Sequence, residues 1–341
     1  ISTTSGGKNM KFKRWAAGIV ALLLVFSLGL VACAKPAGGT PEDNPVPAEE
    51  EEEVETESYK LGFSCINMDN PYYDTLEASI REAVEEAGST LISKDPKGDS
   101  TTQIQQIREM ISDGIEAIFL CPVDWEKIQP AVTELKESDI KIINLDTQVQ
   151  NREDVDAYIG SDNTSAGGIC GEKLIEAAPD GGQVVILECT TQNSIIDRIN
   201  GFEETIAGEG FEVVARAETY GEREEAKKQM ASILQEQEHI TAVMCGNDQI
   251  ALGALDAIEE AGRTDMMIYS VDGSPELKQE LAKDDSLVAG IAAQSPINIG
   301  KSAVTVAFQI MNGERYEEET LEEVLYIDRS NVEMYGVDGW Q

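Results

Sequence analysis

Short apolar runs alternate with amphipathic stretches of helical period along residues 59–341, and this rhythm leaves few folds open to the chain. The first run, YKLGFSC (59–65), precedes a stretch with Leu76, Ile80, Ala83, Val84 and Ala87 on one face, closed by Gly88 as a C-cap. Next come LIS at 91, a helix carrying Ile104, Ile107 and Ile111, the run IEAIFLC ending at Cys121, a helix from Trp125, and IKIINL ending at Leu145. The pattern restarts after Asp162 with a helix to Ala178 and strands at 183–189, 211–217, 241–245 and 266–271. Strands alternating with helices of this kind predict an α/β fold with parallel, doubly wound sheets, and there are enough strands for two. AVEEAG (83–88) is echoed by AIEEAG (257–262), and the pair Cys65 and Cys121 ends two strands as Cys189 and Cys245 do, at the same separation. Two similar halves are expected.

The first residues differ in kind. Lys8, Lys11, Lys13 and Arg14 precede the apolar run AAGIVALLLVFSLGL (16–30), too short for a spanning helix but suited to a secretory signal starting at Met10. Residues 1–32 are read as that signal. Leu30-Val31-Ala32-Cys33 resembles the lipidation site of bacterial lipoproteins, which implies that Cys33 becomes a lipid-modified N-terminus. The Pro-, Gly- and Glu-rich segment from Cys33 to Ser58 has little to bury and is expected to be a solvated acidic tether. The expected location is the outer face of the bacterial cytoplasmic membrane, or the periplasm.

Composition and motifs exclude several functions. A net charge of −38 opposes binding to a phosphate backbone, so nucleic acid is not an expected partner. His239 is the only histidine and lies in QEHITAV at a strand entrance, leaving nothing around which to build a Ser-His-Asp or Cys-His centre. Gly300-Lys301-Ser302 falls short of a phosphate loop, because the leading glycine is replaced by Ser295. Gly208 and Gly210 lack the third glycine of a dinucleotide fingerprint. No metal, no cofactor and no enzymatic activity are expected. The four strand-ending cysteines read most simply as small buried residues.

In open α/β sheets, ligands bind beyond the carboxyl ends of the strands. At those ends the chain places Asn70, Tyr72, Tyr73, Asp146, Arg198, Tyr220, Asn247, Asp272 and Gln294. Amides, carboxylates and one Arg satisfy hydroxyls that both donate and accept, and rings cover C–H faces, so the set suits a neutral polyhydroxylated ligand. Singly, each has a plainer role: Asn247 as a helix cap, Asp272-Gly273 as a turn, Tyr72 and Tyr73 as core.

The segments NPYYDTL (70–76), INLDTQ (143–148), GSDNTSAG (160–167), DRINGF (197–202), GNDQIALGAL (246–255), VDGSPE (271–276) and AQSPINIGK (293–301) together resemble the periplasmic-type sugar-binding proteins of ABC importers, the ribose-binding group. The resemblance spans about 59–328. It implies two Rossmann-like domains joined by three crossovers near Ser161, Gln294 and the C-terminal strand, with a ligand cleft between lobes that close by hinge motion. The lobes would be 59–161 plus 295–326 and 162–294 plus 327–341. It further implies ring contacts from Tyr72, Tyr73 and Tyr220, and hydroxyl contacts from Asn70, Asp146, Arg198, Asn247, Asp272 and Gln294. Ribose binders carry an Arg where Thr147 follows Asp146 here. The rotatable hydroxyl of Thr147 is expected to meet the ligand in place of that cation, which favours a ketose or another hexose over ribose. Trp125 at a helix start is more readily a packing residue than a further ring. The expected protein is a monomer that delivers a monosaccharide to an ABC permease. The other reading is a sensor lipoprotein presenting a sugar or autoinducer-like ligand to a chemoreceptor or histidine kinase. A repressor of the same fold would need a DNA-binding helix-turn-helix, and the chain has a signal and a tether there instead.

Overall fold

The computed structural model describes residues 58–341; the expected signal, Cys33 and all of the expected tether but Ser58 lie outside the described residues. Strand and helix alternate in the first half as β1 (Lys60–Ser64), α1 (Pro71–Glu86), β2 (Thr90–Lys94), α2 (Ser100–Ser112), β3 (Ala117–Leu120), α3 (Gln129–Glu137), β4 (Lys141–Leu145) and β5 (Ala157–Ser161). The second half repeats them as α4 (Asn163–Ala177), β6 (Gly182–Glu188), α5 (Asn193–Ile206), β7 (Phe211–Glu218), α6 (Arg223–Glu236), β8 (Ala242–Cys245), α7 (Asp248–Glu260), β9 (Met267–Asp272), α8 (Pro275–Leu281) and β10 (Val288–Ala293). Then follow α9 (Pro296–Met311), β11 (Glu319–Glu322), β12 (Leu325–Ile327) and α10 (Val332–Tyr335).

The strands form two six-stranded sheets, ordered β11-β5-β4-β3-β1-β2 and β12-β10-β9-β8-β6-β7, so each strand of one has a counterpart in the other. Every pairing is parallel except β10 with β12. The central strands β3, β4, β8 and β9 are buried almost throughout, as expected of parallel strands covered by helices on both faces. Each lobe has its own core. Phe63, Leu76, Ile80, Phe119 and Ile299 pack on one face of the first sheet, and Ile107, Met110, Leu120 and Leu135 on the other. In the second lobe Val185, Leu187, Phe202, Met230, Ile250 and Ile268 belong to a single cluster.

Three places change lobe. Asp162 ends the first crossover and caps α4, its side chain accepting the Ser165 N–H. Ser295 does the same for α9, accepting the Asn298 N–H, and α9 packs back on the first core. The third change lies between β11 and β12, ahead of the boundary read at 326/327, because β12 already begins at Leu325.

Four strands were not visible in the sequence. β5 and β10 are rich in small residues, and β11 (ETLE) is a polar edge strand held only by its pairing with β5. β12 is three residues long. The helix expected from Trp125 starts at Gln129 instead: Asp124 draws the N–H groups of Glu126 and Lys127 into a turn first. Trp125 is half-buried, and its backbone N–H donates to the Thr191 carbonyl of the other lobe at 3.1 Å. Cys65, Cys121, Cys170, Cys189 and Cys245 are buried free thiols. Among the described residues no helix is long and apolar enough to cross a membrane, and no His/Cys/Asp/Glu group could hold a metal ion.

Candidate functional site

The carboxyl ends of both sheets meet at the seam between the lobes, where Asn70, Tyr72, Tyr73, Asp146, Gln192, Ser194, Arg198, Asn247 and Asp272 enclose a small inner space of about 10 Å³. That is room for one water at most. Asn70, Tyr73 and Gln192 also line an outer cavity of about 610 Å³ that Lys127, Tyr220 and Glu224 help to wall.

Arg198, on the inner face of α5, is the centre of the inner pocket and is 2% exposed. Its Nε donates to Asn163 Oδ1 at 2.8 Å, and its Nη1 donates to the Gly246 carbonyl at 2.9 Å and to Asp272 Oδ1 at 3.3 Å. Its Nη2 lies 3.8 Å from Asp146 Oδ1, across the seam. Asp146 Oδ2 accepts the Tyr73 hydroxyl at 2.8 Å, and Gln294 Nε2 donates to Asp272 Oδ1 at 2.8 Å. Asp248, at the start of α7, accepts the Ser270 hydroxyl and the N–H groups of Gly273 and Ser274, which holds the loop after β9 in place.

Charge here is out of balance. Burial pushes Asp146 and Asp248 upward, the first against the pull of Arg198 and of the tyrosine hydroxyls. Burial also lifts Asp272, to about 8; Arg198 opposes this, while the neighbouring Asp248 and Asp146 add to it. Desolvation disfavours the Arg198 cation, but Asp272 and Asp146 outweigh it and hold the cation firmly. Five non-glycine residues among those described have positive φ, and three are Asp146 (58°), Tyr220 (56°) and Asp272 (142°). Strained backbone of this kind concentrates where side chains are aimed at a ligand.

Not every expected residue offers its side chain to the pocket. Thr147 is wholly buried, and its hydroxyl accepts the Ser194 N–H at 3.1 Å. That bond ties the turn after Asp146 to the start of α5 across the seam; Thr147 is not among the residues lining the inner pocket, and accepting one N–H leaves its hydroxyl proton for another acceptor. Tyr220 is 60% exposed and lines the outer cavity, not the inner pocket, since its left-handed backbone turns the ring outward. Asn70 and Asn247 line the pocket while their Oδ1 atoms cap α1 and α7. Gln294 is buried behind Asp272, and its Oε1 has no hydrogen-bond partner among the described residues. Tyr72 stands edge-on to Tyr73 with ring centroids 5.2 Å apart. Its hydroxyl is buried beside Asp146 and makes no well-formed hydrogen bond among the described residues.

Sequence reasoning missed Gln192, Ser194, Asn163 and Tyr158. Gln192 and Ser194 follow β6 and obey the strand-end rule, which could have found them. Asn163 follows the first crossover and orients Arg198, and the Tyr158 hydroxyl donates to the Asp146 carbonyl at 2.6 Å. Asn163 stands just past β5 within the segment GSDNTSAG, but that strand has no clear period of its own; Tyr158 has no local signal.

A family model described as periplasmic binding protein domain matches residues 61–315. The chain belongs to this family. Members similar to it include the ribose import binding protein of Salmonella typhimurium, 29% identical over 251 residues that cover 73% of this chain and 84% of that protein. A Mycobacterium smegmatis ABC transporter solute-binding protein with bound glycerol is 26% identical with a TM-score of 0.77, covering 82% of this chain and 96% of that one. A second M. smegmatis structure, in complex with β-D-fucofuranose, is 28% identical with a TM-score of 0.76, covering 81% and 93%. These family members share the two-lobed α/β architecture, and the inner pocket lies between the lobes.

Proposed function

We propose that this chain captures a monosaccharide between its lobes and delivers it to an ABC import permease. The observation that carries the reading is the inner pocket itself: carboxylates from two lobes flank one buried Arg, and a buried tyrosine hydroxyl beside them lacks a proper partner. A sugar hydroxyl donates to a carboxylate and accepts from a guanidinium at once, so a polyol satisfies both without adding charge. The Tyr72 and Tyr73 rings offer C–H-covering faces and edges beside those groups. Named relatives import ribose or hold a furanose, which supports a sugar as the ligand class.

The seam bonds Trp125 N–H to Thr191 and Ser194 N–H to Thr147 describe a closed form, and the hinge motion would exchange it with an open one. The leader, Cys33 and the acidic tether support a lipid-anchored protein working outside the cytoplasmic membrane. The absence of an Arg after Asp146 supports a ketose or another hexose or pentose over ribose. Thermal-shift screening followed by calorimetry against D-ribose, D-fructose, D-galactose and D-xylose tests this, because a ligand that binds only the folded state raises Tm by mass action. No shift with any sugar or polyol would refute it. Stimulation of a cognate permease's ATPase by the loaded protein tests delivery.

A further inference from the structure

The last residues run from one lobe to the other beside the hinge. Val337 packs against the core of the second lobe, whereas Trp340 packs against the core of the first. Between them Gly339 offers its carbonyl to Lys278 Nζ at 2.6 Å, and Gln279 Nε2 donates to the Val337 carbonyl at 3.3 Å. Ser295, at the second crossover, donates its hydroxyl to the Gln341 carbonyl. Lys278 is fully buried, an expensive position for a cation, and its charge faces Asp248 and Asp338. Asp248 is the residue that holds the loop after Asp272. The strap is therefore tied to the second lobe and the hinge, yet its ring reaches the first lobe.

That ring meets Tyr72. The Trp340 and Tyr72 centroids are 5.8 Å apart at an interplanar angle of 75°, and Tyr73 stands edge-on to Tyr72 at 89°. Tyr72 thus has an aromatic edge contact from each of two neighbours, while its hydroxyl has no well-formed hydrogen bond among the described residues to fix its direction. The two ring contacts hold the Tyr72 ring, and with it the hydroxyl beside Asp146.

We propose that Trp340 is a positioning residue for ligand recognition: by packing on Tyr72 from a strap anchored at Lys278 and Ser295, it aims the Tyr72 hydroxyl into the pocket beside Asp146. This rests on the sugar-binding reading above. Tyr72, Lys278 and Ser295 lie within the 61–315 match to the family, whereas Trp340 and the rest of the strap lie beyond it. Removing the Trp340 ring takes the packing off one side of Tyr72, so that the side chain can tilt about χ1 and carry its hydroxyl away from Asp146, a shift that a sugar must reverse on binding.

Calorimetric titration of the full chain with the tightest-binding sugar of the panel tests the proposal in a double-mutant cycle. Trp340→Ala should weaken binding about tenfold, an effect of the size aromatic pairs produce, and Trp340→Phe should restore most of it. In a Tyr72→Phe background Trp340→Ala should cost less than about twofold, because the hydroxyl it positions is already gone. Lys278→Met, which unties the strap while keeping the site apolar, should act in the same direction as Trp340→Ala and covers the case that the latter fails to fold. A wild type that binds sugar while Trp340→Ala and Lys278→Met bind it equally well, or equal losses in both Tyr72 backgrounds, would overturn the positioning role alone. A wild type that binds no sugar overturns this proposal and the function it rests on.

Discussion

The two lobes are built alike and equipped differently. Strand for strand the sheets correspond, and buried cysteines sit at equivalent ends: Cys65 and Cys121 after β1 and β3, Cys189 and Cys245 at the ends of β6 and β8. At the seam the likeness stops. The first lobe brings two tyrosines and one acid, Tyr72, Tyr73 and Asp146; the second brings the cation and the paired acids, Arg198, Asp272 and Asp248. A parallel sheet needs apolar residues along its strands but makes almost no demand on the residue just beyond each carboxyl end, so the repeated scaffold stays similar while those positions diverge. The edges differ too, with β11 parallel to β5 and β12 antiparallel to β10, because the third crossover must return the chain to the second lobe within a short turn.

The largest effect should come from the second lobe's cation. Arg198→Ala leaves Asp146 and Asp272 buried without their counter-charge, so stability should fall by about 3 kcal/mol and sugar affinity by about 2 kcal/mol or more. Chemical denaturation and calorimetry read both, and an unchanged affinity in a folded variant would show that the pocket is misplaced. On the first lobe, Tyr73→Phe removes one hydrogen bond to Asp146 and should cost about 1 kcal/mol of affinity. If it costs as much as Arg198→Ala, the asymmetry between lobes is wrong.

Thr147→Val sharpens the comparison at the seam, since it deletes the acceptor for the Ser194 N–H without touching the inner pocket. Binding should weaken by about 1 kcal/mol for every sugar alike. A change in sugar ranking would restore Thr147 as a ligand contact.

The pH response reports on Asp272. Asp272 has its pKa raised to about 8 in the folded protein against about 3.9 in an unfolded chain, so the folded state binds the extra proton. Its stabilising effect is full below pH 4 and is lost as pH rises through 8. Tm should therefore fall with pH across that window, and Asp272→Asn should flatten the slope. A parallel slope in the variant would mean that other groups carry it. Least of all, Tyr220→Ala should leave stability within about 0.5 kcal/mol, because the ring is mostly in solvent.

Sequence alone determined the fold class, the repeat of its two halves and the strand ends at which a site could form, because apolar period and strand-end position are local properties. Asn70, Tyr72, Tyr73, Asp146, Arg198, Asn247 and Asp272 were all readable in this way, and the structure brings them around one pocket. Tertiary structure alone decided what each atom is free to do. The Thr147 hydroxyl accepts the Ser194 N–H, whereas the Tyr72 hydroxyl makes no well-formed hydrogen bond among the described residues, although nothing in the neighbouring residues separates the two. Asn163 and Trp340 act on Arg198 and Tyr72 from 35 and 268 residues away, at 2.8 Å and 5.8 Å in space. Hydrogen-bond partners and ring packing are settled by distance in three dimensions, which the spacing of residues along a chain does not encode.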